Sequence, residues 1–409
     1  MNIWYVAAYD QPKGQSLRTW DYSVELVRRG HEVTMFTNGY CHFTHNERLS
    51  DHELWRVEVL DGVRVVWLKT HPYTGNGLGR GLNMIDNARR VLSSSKNLGD
   101  RPHVVLGPSV PLLTGWAAMG LADRYRVPFI FEVRDVWPDA LVDIGGIRQN
   151  SLIYHVFRYV EKLLYRKAIR ISSTLPNLAS HVASSGSNPD KIVHIPNGVD
   201  LTPYNNLAPY DGGKAGKFVV MYVGGFGLGH DVSTIISAAK ILQDEGDMRF
   251  EFLLVGGGVR KAACEKEASF YELSNLEFRE PVPKASLPHI QCEADIFIAA
   301  ITDSNSYRFG LNLNKLCSYF ASARPVLFSG NPPNDLVADS KGGISVKAED
   351  PKAMVSGLKQ LASMTAAERV GMGKLGHSYA QSMLSIDTLG KKMETMLVSA
   401  IAEFPKQNQ

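Results

Sequence analysis

The sequence predicts an α/β protein built of two doubly wound, parallel-sheet domains, and three observations predict it. Short apolar strands alternate with helical periodicity along almost the whole chain. At 409 residues the chain exceeds one ordinary core, so two domains are expected. Between them the segment Pro196 to Lys217, PNGVDLTPYNNLAPYDGGKAGK, has the proline, glycine and asparagine content of a connection.

Asn2 to Ala8 is a short apolar strand, followed by a loop with Pro12 and Gly14, a helix from near Ser16 to Gly30, and the strand HEVTMFTNG. Strand, loop, helix, strand is a parallel unit. Val57 to Leu60 and Val63 to Leu68 flank Asp61-Gly62, a hairpin signal. A helix is expected over Leu82 to Ser95 and another over Pro111 to Tyr125. Strands are expected at His103 to Leu106, Pro128 to Glu132, Ile169 to Ser173 and Lys191 to Ile195. The second series places strands at Phe218 to Val223, Phe250 to Val255, Leu276 to Phe278, Asp295 to Ala300, Pro325 to Phe328 and Ile344 to Val346. From Pro351 the chain reads as helix to near its end. Asn150 to Arg170 is a long amphipathic helix with a basic end. It reads first as a core-packing helix, with an anionic membrane surface as the alternative.

Composition excludes several classes. Hydrophobic residues make up 44% and charged residues 21%, which is neither disordered nor fibrous. A net charge of +3 gives no case for nucleic acid, although the first 200 residues hold 23 Lys and Arg against 19 acids, which suits an anionic partner. Cys41, Cys264, Cys292 and Cys317 have neither metal nor redox spacing, so a reducing, cytoplasmic location is expected. Met1 leads directly into a strand pattern, and no signal peptide is expected. Val104 to Ala122 lacks charge, but its prolines and glycines argue against a membrane span. Cys41, His42 and His45, with His52 nearby, do not form a standard zinc arrangement, and no metal is expected.

The stretch KFVVMYVGGFGLGHD, Lys217 to Asp231, runs strand, glycine turn and helix N-cap into VSTIISAAKIL. Glycines let backbone N–H groups approach a ligand, and a helix N-terminus favours negative charge. Tight turn geometry alone would also account for the glycines.

Several motifs go beyond a generic α/β pattern. KIVHIPNGVD (Lys191 to Asp200) resembles the interdomain signature of the family 4 retaining glycosyltransferases. MYVGGFGLGHD and FLLVGGG (Phe252 to Gly258) resemble that family's next two strand ends. REPVPKASLPHIQCEADIFIAAI resembles its base-binding loop, and NKLCSYFASARPVLFS its last patterned segment. GQSLRTW, PSVPLLTG and EVRDVWPDAL resemble a bacterial branch that includes transferases of N-acetyl-L-fucosamine in O-antigen and capsule synthesis. The resemblance implies the GT-B fold: Rossmann-like domains at residues 1–196 and 197–384 facing across a cleft, with a helix at 385–409 packing back on the first. It implies metal-independent hexosyl transfer, with no cofactor, from a UDP-sugar to a polyprenyl-diphosphate-linked saccharide at the inner face of the membrane.

The same resemblance assigns roles. Arg18, Arg134, Asp135 and Lys315 are the expected catalytic groups, supplying charge or accepting from sugar hydroxyls. The donor is expected to meet Gly14, Gln15 and Ser16 in the first domain. In the second it is expected to meet Gly224, Gly225, Phe226, Gly227, His230, Gly256, Val282, Pro283, Arg308, Leu311, Asn312, Asn314 and Ser318. Glu132 and Trp137 are expected on the acceptor side. His230 either donates to a phosphate or caps the helix start. An arginine cannot act as a base at neutral pH, so Arg134 would act electrostatically. Many relatives carry two glutamates eight positions apart. The matching positions are Tyr307 and Lys315, or Gly310 and Ser318, and neither alignment yields a carboxylate pair. An epimerase of the same fold, or a sugar-nucleotide-binding subunit without turnover, are the rival functions.

Overall fold

Strands apolar on both faces are stable only where both faces are covered, and the central strands of the first sheet, Asn2–Val6, Val104–Pro108 and Phe129–Val133, are buried throughout. The computed structural model describes residues 1–13, 18–42, 44–75, 77–143, 146–213 and 216–405. Its first sheet contains β1 (Asn2–Val6), β2 (Glu32–Asn38), β3 (Trp55–Leu60), β4 (Val63–Leu68), β5 (Val104–Pro108), β6 (Phe129–Val133), β7 (Arg170–Ser173) and β8 (Ile192–His194). The spatial order is β3-β4-β2-β1-β5-β6-β7-β8. Only β3 and β4 pair antiparallel, around Asp61 and Gly62 with φ of +47° and +80°, the two positive values a type I′ turn requires.

The second sheet contains β9 (Phe218–Val223), β10 (Phe250–Val255), β11 (Leu276–Arg279), β12 (Ile296–Ala300), β13 (Val326–Ser329) and β14 (Gly343–Val346), ordered β11-β10-β9-β12-β13-β14 and parallel throughout. Its core gathers Tyr222, Phe226, Ile235, Phe252 and Ile298 on one side of the sheet, and Met221, Phe297, Tyr319 and Phe328 on the other. The strand order reverses between β9 and β12, the kind of position at which open α/β sheets hold ligands. The glycine turn leaves the end of β9.

The chain divides into two units, Met1–Pro196 with Leu389–Gln409, and Asn197–Thr388. The helix Ile386–Glu403 therefore ends in the first unit, where Glu394 pairs with Arg29 and His31. The C-terminal region is not one helix. Met364 leaves helical geometry, and Thr365 with Glu368 forms a capping box that restarts the chain as Ala366–Tyr379. A π-turn at Ala380–Leu384 and the extended Ser385 make a second break.

The long helix spans Leu152–Lys167, capped by the Ser151 side chain. It buries Tyr154, Leu164 and Tyr165, yet leaves Leu152 80% and Tyr159 69% exposed, together with Ile153 and Val156. The core-packing expectation holds for one face only. Among the described residues, no helix is long and apolar enough to cross a membrane.

Candidate functional site

In the second unit the site is built at the end of β9. Asp231 caps the helix Val232–Asp244 by accepting from the Thr234 backbone N–H at 3.2 Å. Two glycine turns pack backbone on backbone: Gly224 N–H donates to Val255, and Phe226 N–H donates to Gly257. A Cβ on Gly256, at φ +151°, would lie 1.9 Å from the Gly224 carbonyl oxygen, so only glycine permits this approach. Among the described residues, the Gly225 and Gly227 amides have no acceptor, so both remain available to an anion.

Lys315, in the first turn of the helix Asn314–Ala321, brings its ammonium to this turn. Its Nζ donates to the Tyr222 hydroxyl at 2.6 Å and lies 4.0 Å from the centroid of that ring. A Cβ on Gly224 would stand 3.1 Å from the same nitrogen. Burial lowers the Lys315 pKa to about 7. Burial, followed by the nearby Lys315, lowers His230 to about 4, so its imidazole is neutral at physiological pH. The His230 Nδ1 is buried with no hydrogen-bond partner.

Other expected donor residues fall into three groups. Phe226 is fully buried against Tyr222 and Phe278, so its side chain belongs to the core rather than to a ligand surface. Leu311 is buried and tied through its backbone to Asn334, Asn312 is tied to the Asn197 backbone, and Ser318 sits between Gln291 and the Lys315 carbonyl. Pro283 and Asn314 are exposed, Val282 is half-buried in the loop after β11, and Arg308 lies over Phe309 and donates to the Asn305 carbonyl. Tyr307, one of the positions matching the glutamate pair, donates to the Gly229 carbonyl at 2.9 Å and so braces the glycine turn.

The first unit corrects two expectations. Arg18 is not presented as a cation for a diphosphate. Its guanidinium donates to the Ile195 and Pro196 carbonyls, both at 2.8 Å, and pairs with Glu132 at 3.3 Å. Glu132 is 0% exposed, held by Arg18, by Arg134 at 2.6 Å and by the Tyr5 hydroxyl, so it faces the interior and not an acceptor. Arg134 also pairs with Asp10 at 2.7 Å and donates to Thr19. Burial would raise the Glu132 pKa, but Arg18 and Arg134 outweigh it and hold the carboxyl below its usual range. Trp137 is 5% exposed and packs toward Phe157. Asp135 alone of this group is an exposed residue, although desolvation raises the pKa of its carboxyl, and Ser109 accepts from the Arg134 backbone N–H and donates to the Asp135 carbonyl. Gly14, Gln15 and Ser16 lie outside the described residues. Sequence reading missed Tyr222, whose apolar strand context hid a hydroxyl placed between Lys315 and the Gly225 carbonyl.

Comparison with known proteins assigns the class. Residues 13–198 match the family model described as glycosyl transferase 4-like domain, and residues 217–364 match the one described as glycosyl transferases group 1. Each unit thus carries a glycosyltransferase match, and the two matched segments take in most of the chain: it is a glycosyltransferase of the GT-B fold. Among curated proteins it is similar to the probable glycosyltransferase WbjE of Pseudomonas aeruginosa, at 21% identity over 68% of this chain and 70% of that one. Among solved structures it is similar to sucrose-phosphate synthase of Thermosynechococcus elongatus, with a TM-score of 0.75 at 16% identity over 98% of this chain and 99% of that one. It is also similar to Anabaena Alr3699/HepE in complex with UDP, with a TM-score of 0.70 at 12% identity over 98% and 100%. At these identities the solved structures show the fold alone.

Proposed function

We propose that this glycosyltransferase moves an N-acetylated hexose from a UDP-sugar to a polyprenyl-diphosphate-linked saccharide in bacterial surface-polysaccharide synthesis, with retention at the anomeric carbon and without a metal. The observation that carries the donor half is the Lys315 ammonium beside the glycine turn and the helix N-terminus at the end of β9. As the glycosidic bond breaks, negative charge grows on the leaving diphosphate. Preorganised amides and a desolvated cation stabilise that charge more than they stabilise the bound donor. The Gly225 and Gly227 amides and Lys315 fill those roles, and neutral His230 adds one donor. The exposed loop around Val282 and Pro283 receives the base through its backbone. That HepE was solved with UDP supports the choice of nucleotide.

The acceptor half rests on the motif resemblance and on the basic, apolar-faced helix Leu152–Lys167, whose exposed Leu152, Ile153, Val156 and Tyr159 suit the surface of an anionic membrane on its cytoplasmic side. The absence of a carboxylate pair at Tyr307 and Lys315 favours one second reading, a sugar-nucleotide-binding subunit with little turnover.

A nucleotide screen by thermal unfolding tests the donor, since a ligand at 100 times its Kd stabilises the folded state by about 2.7 kcal/mol. UDP is expected to shift the midpoint more than GDP or dTDP. Release of UDP from a UDP-sugar only when a glycan acceptor is added separates transfer from epimerisation. Tight UDP binding with no release across donors and acceptors would favour the binding subunit.

A further inference from the structure

A second group of rings stands outside the site described above. β4, β2 and β1 are adjacent and parallel, so their carboxyl ends open along one edge of the sheet. The chain leaves each strand through an aromatic segment, at Tyr73, at Tyr40 to His42 and at Tyr9. The Tyr9 and His42 rings are 4.9 Å apart, and His42 stacks on Tyr73 at 5.8 Å, with its Nδ1 2.6 Å from the Tyr73 hydroxyl. Arg80, from the helix Leu78–Ser94, lies 5.4 Å from the Tyr9 centroid and donates to the Tyr9 hydroxyl at 3.3 Å. Tyr73 is buried, whereas Tyr9, His42 and Arg80 are half-exposed.

Beneath the rings runs a chain of buried amides and hydroxyls. Thr114 donates to Asn87 at 2.7 Å, Asn87 to Asn38 at 2.7 Å, Asn38 to Asn83 at 3.1 Å, and Asn83 to Thr70 at 2.9 Å. Asn87 also reaches the Ala7 carbonyl. Burying such groups is unfavourable unless each is bonded, and a fully bonded network is rigid. This one ties together the ends of β1, β2 and β4 and two helices. An apolar core would hold the sheet equally well, so what the network adds is a fixed position for the three strand ends and the rings they carry. Burial, then Arg80 and His45, lowers the His42 pKa to about 4, which keeps the imidazole uncharged.

We infer that Tyr9, His42 and Arg80 form a subsite for one pyranose ring of the acceptor glycan. The C–H face of a pyranose is apolar and electropositive and matches the negative face of an aromatic ring, while its hydroxyls match the donors of a guanidinium. The inference rests on the glycosyltransferase reading and places the sugar in the first unit.

Saturation-transfer NMR with methyl glycosides of glucose, galactose, N-acetylglucosamine and fucose tests it on the full chain. At least one glycoside is expected to receive saturation from the wild-type protein. In Tyr9→Leu and His42→Leu the effect should fall by about fivefold, the equivalent of losing one ring contact. Arg80→Gln, which leaves the rings in place, should weaken it by about threefold through loss of hydroxyl contacts, and Tyr9→Phe should retain most of it. The UDP-induced midpoint shift should be the same in all four variants. No saturation of any glycoside, or saturation in Tyr9→Leu and Arg80→Gln equal to that of the wild type, overturns the inference. Absence of a UDP shift in the wild type would instead overturn the donor reading.

Discussion

The Lys315 ammonium donates to the Tyr222 hydroxyl at 2.6 Å while lying 4.0 Å from the centroid of the same ring. One aromatic side chain thus supplies both an acceptor and a π-face to a cation that burial has made unusually easy to deprotonate. The Tyr222 hydroxyl in turn donates a hydrogen bond to the Gly225 carbonyl, which links the lysine to the glycine turn.

From this comes a proton-uptake prediction. With a pKa of about 7, Lys315 is mostly neutral at pH 8. A bound diphosphate favours the ammonium, so UDP binding at pH 8 should take up close to one proton, and binding at pH 6 almost none. Calorimetry in buffers of different ionisation enthalpy measures this directly. Lys315→Met should abolish the uptake and weaken UDP binding by about 10- to 100-fold, the range of a charge-assisted hydrogen bond.

The same lysine affects stability in a definite direction. A lysine lowered from about 10.4 when unfolded to a lower folded value penalises folding fully below the folded pKa, and the penalty fades as pH rises toward the unfolded one. Lys315→Met should therefore stabilise the protein more at pH 6 than at pH 10, as read from unfolding midpoints.

The glycines of the two turns should separate into structural and ligand-facing positions. Gly256→Ala drives a Cβ into the Gly224 carbonyl and should lower the midpoint by roughly 2–12 °C, as overpacking by about 1–3 kcal/mol would. At Gly225 the nearest atom to a new Cβ is 3.9 Å away. Gly225→Ala should fold normally and lose UDP affinity.

In the first unit, Glu132→Gln leaves two arginines around a neutral group. Breaking a buried ion cluster by removing one partner costs about 3 kcal/mol or more, so the midpoint should fall by roughly 6–12 °C at pH 7. Because the folded carboxyl is held low, its contribution is present above about pH 4.3 and lost as pH falls through the folded pKa. The gap between wild type and variant should narrow only in acid.

The exposed helix face gives a membrane prediction. Leu152→Ser with Tyr159→Ser removes two of its largest apolar groups, and each buried side chain of this kind is worth about 1.5–3 kcal/mol. Cosedimentation with vesicles containing anionic lipid should fall at least tenfold, with the UDP midpoint shift unchanged.

Much of the fold was legible because fully buried parallel strands leave unbroken apolar runs bounded by glycine and proline, as at Asn2 to Val6 and Phe218 to Val223. Helix breaks at Thr365 and Ser385 were not legible, because a capping box inside a long periodic segment looks like polar surface. At the site, the motifs pointed to Gly224 and Lys315 as donor-side residues, and the structure sets the Lys315 ammonium beside Gly224. Arg18 and Glu132 were misread, since they lie far apart in sequence and only the fold brings them together. Tyr222 was missed because a hydroxyl at a strand end looks like any core tyrosine.

Backbone amide exchange with and without UDP tests the central claim most directly. The account predicts that saturating UDP slows exchange at Gly225 and Gly227 and in the first turn of the helix beginning at Val232, and that Lys315→Met reduces this protection at equal UDP concentration. Unchanged exchange there at a concentration that measurably binds the protein, with protection elsewhere, would contradict it.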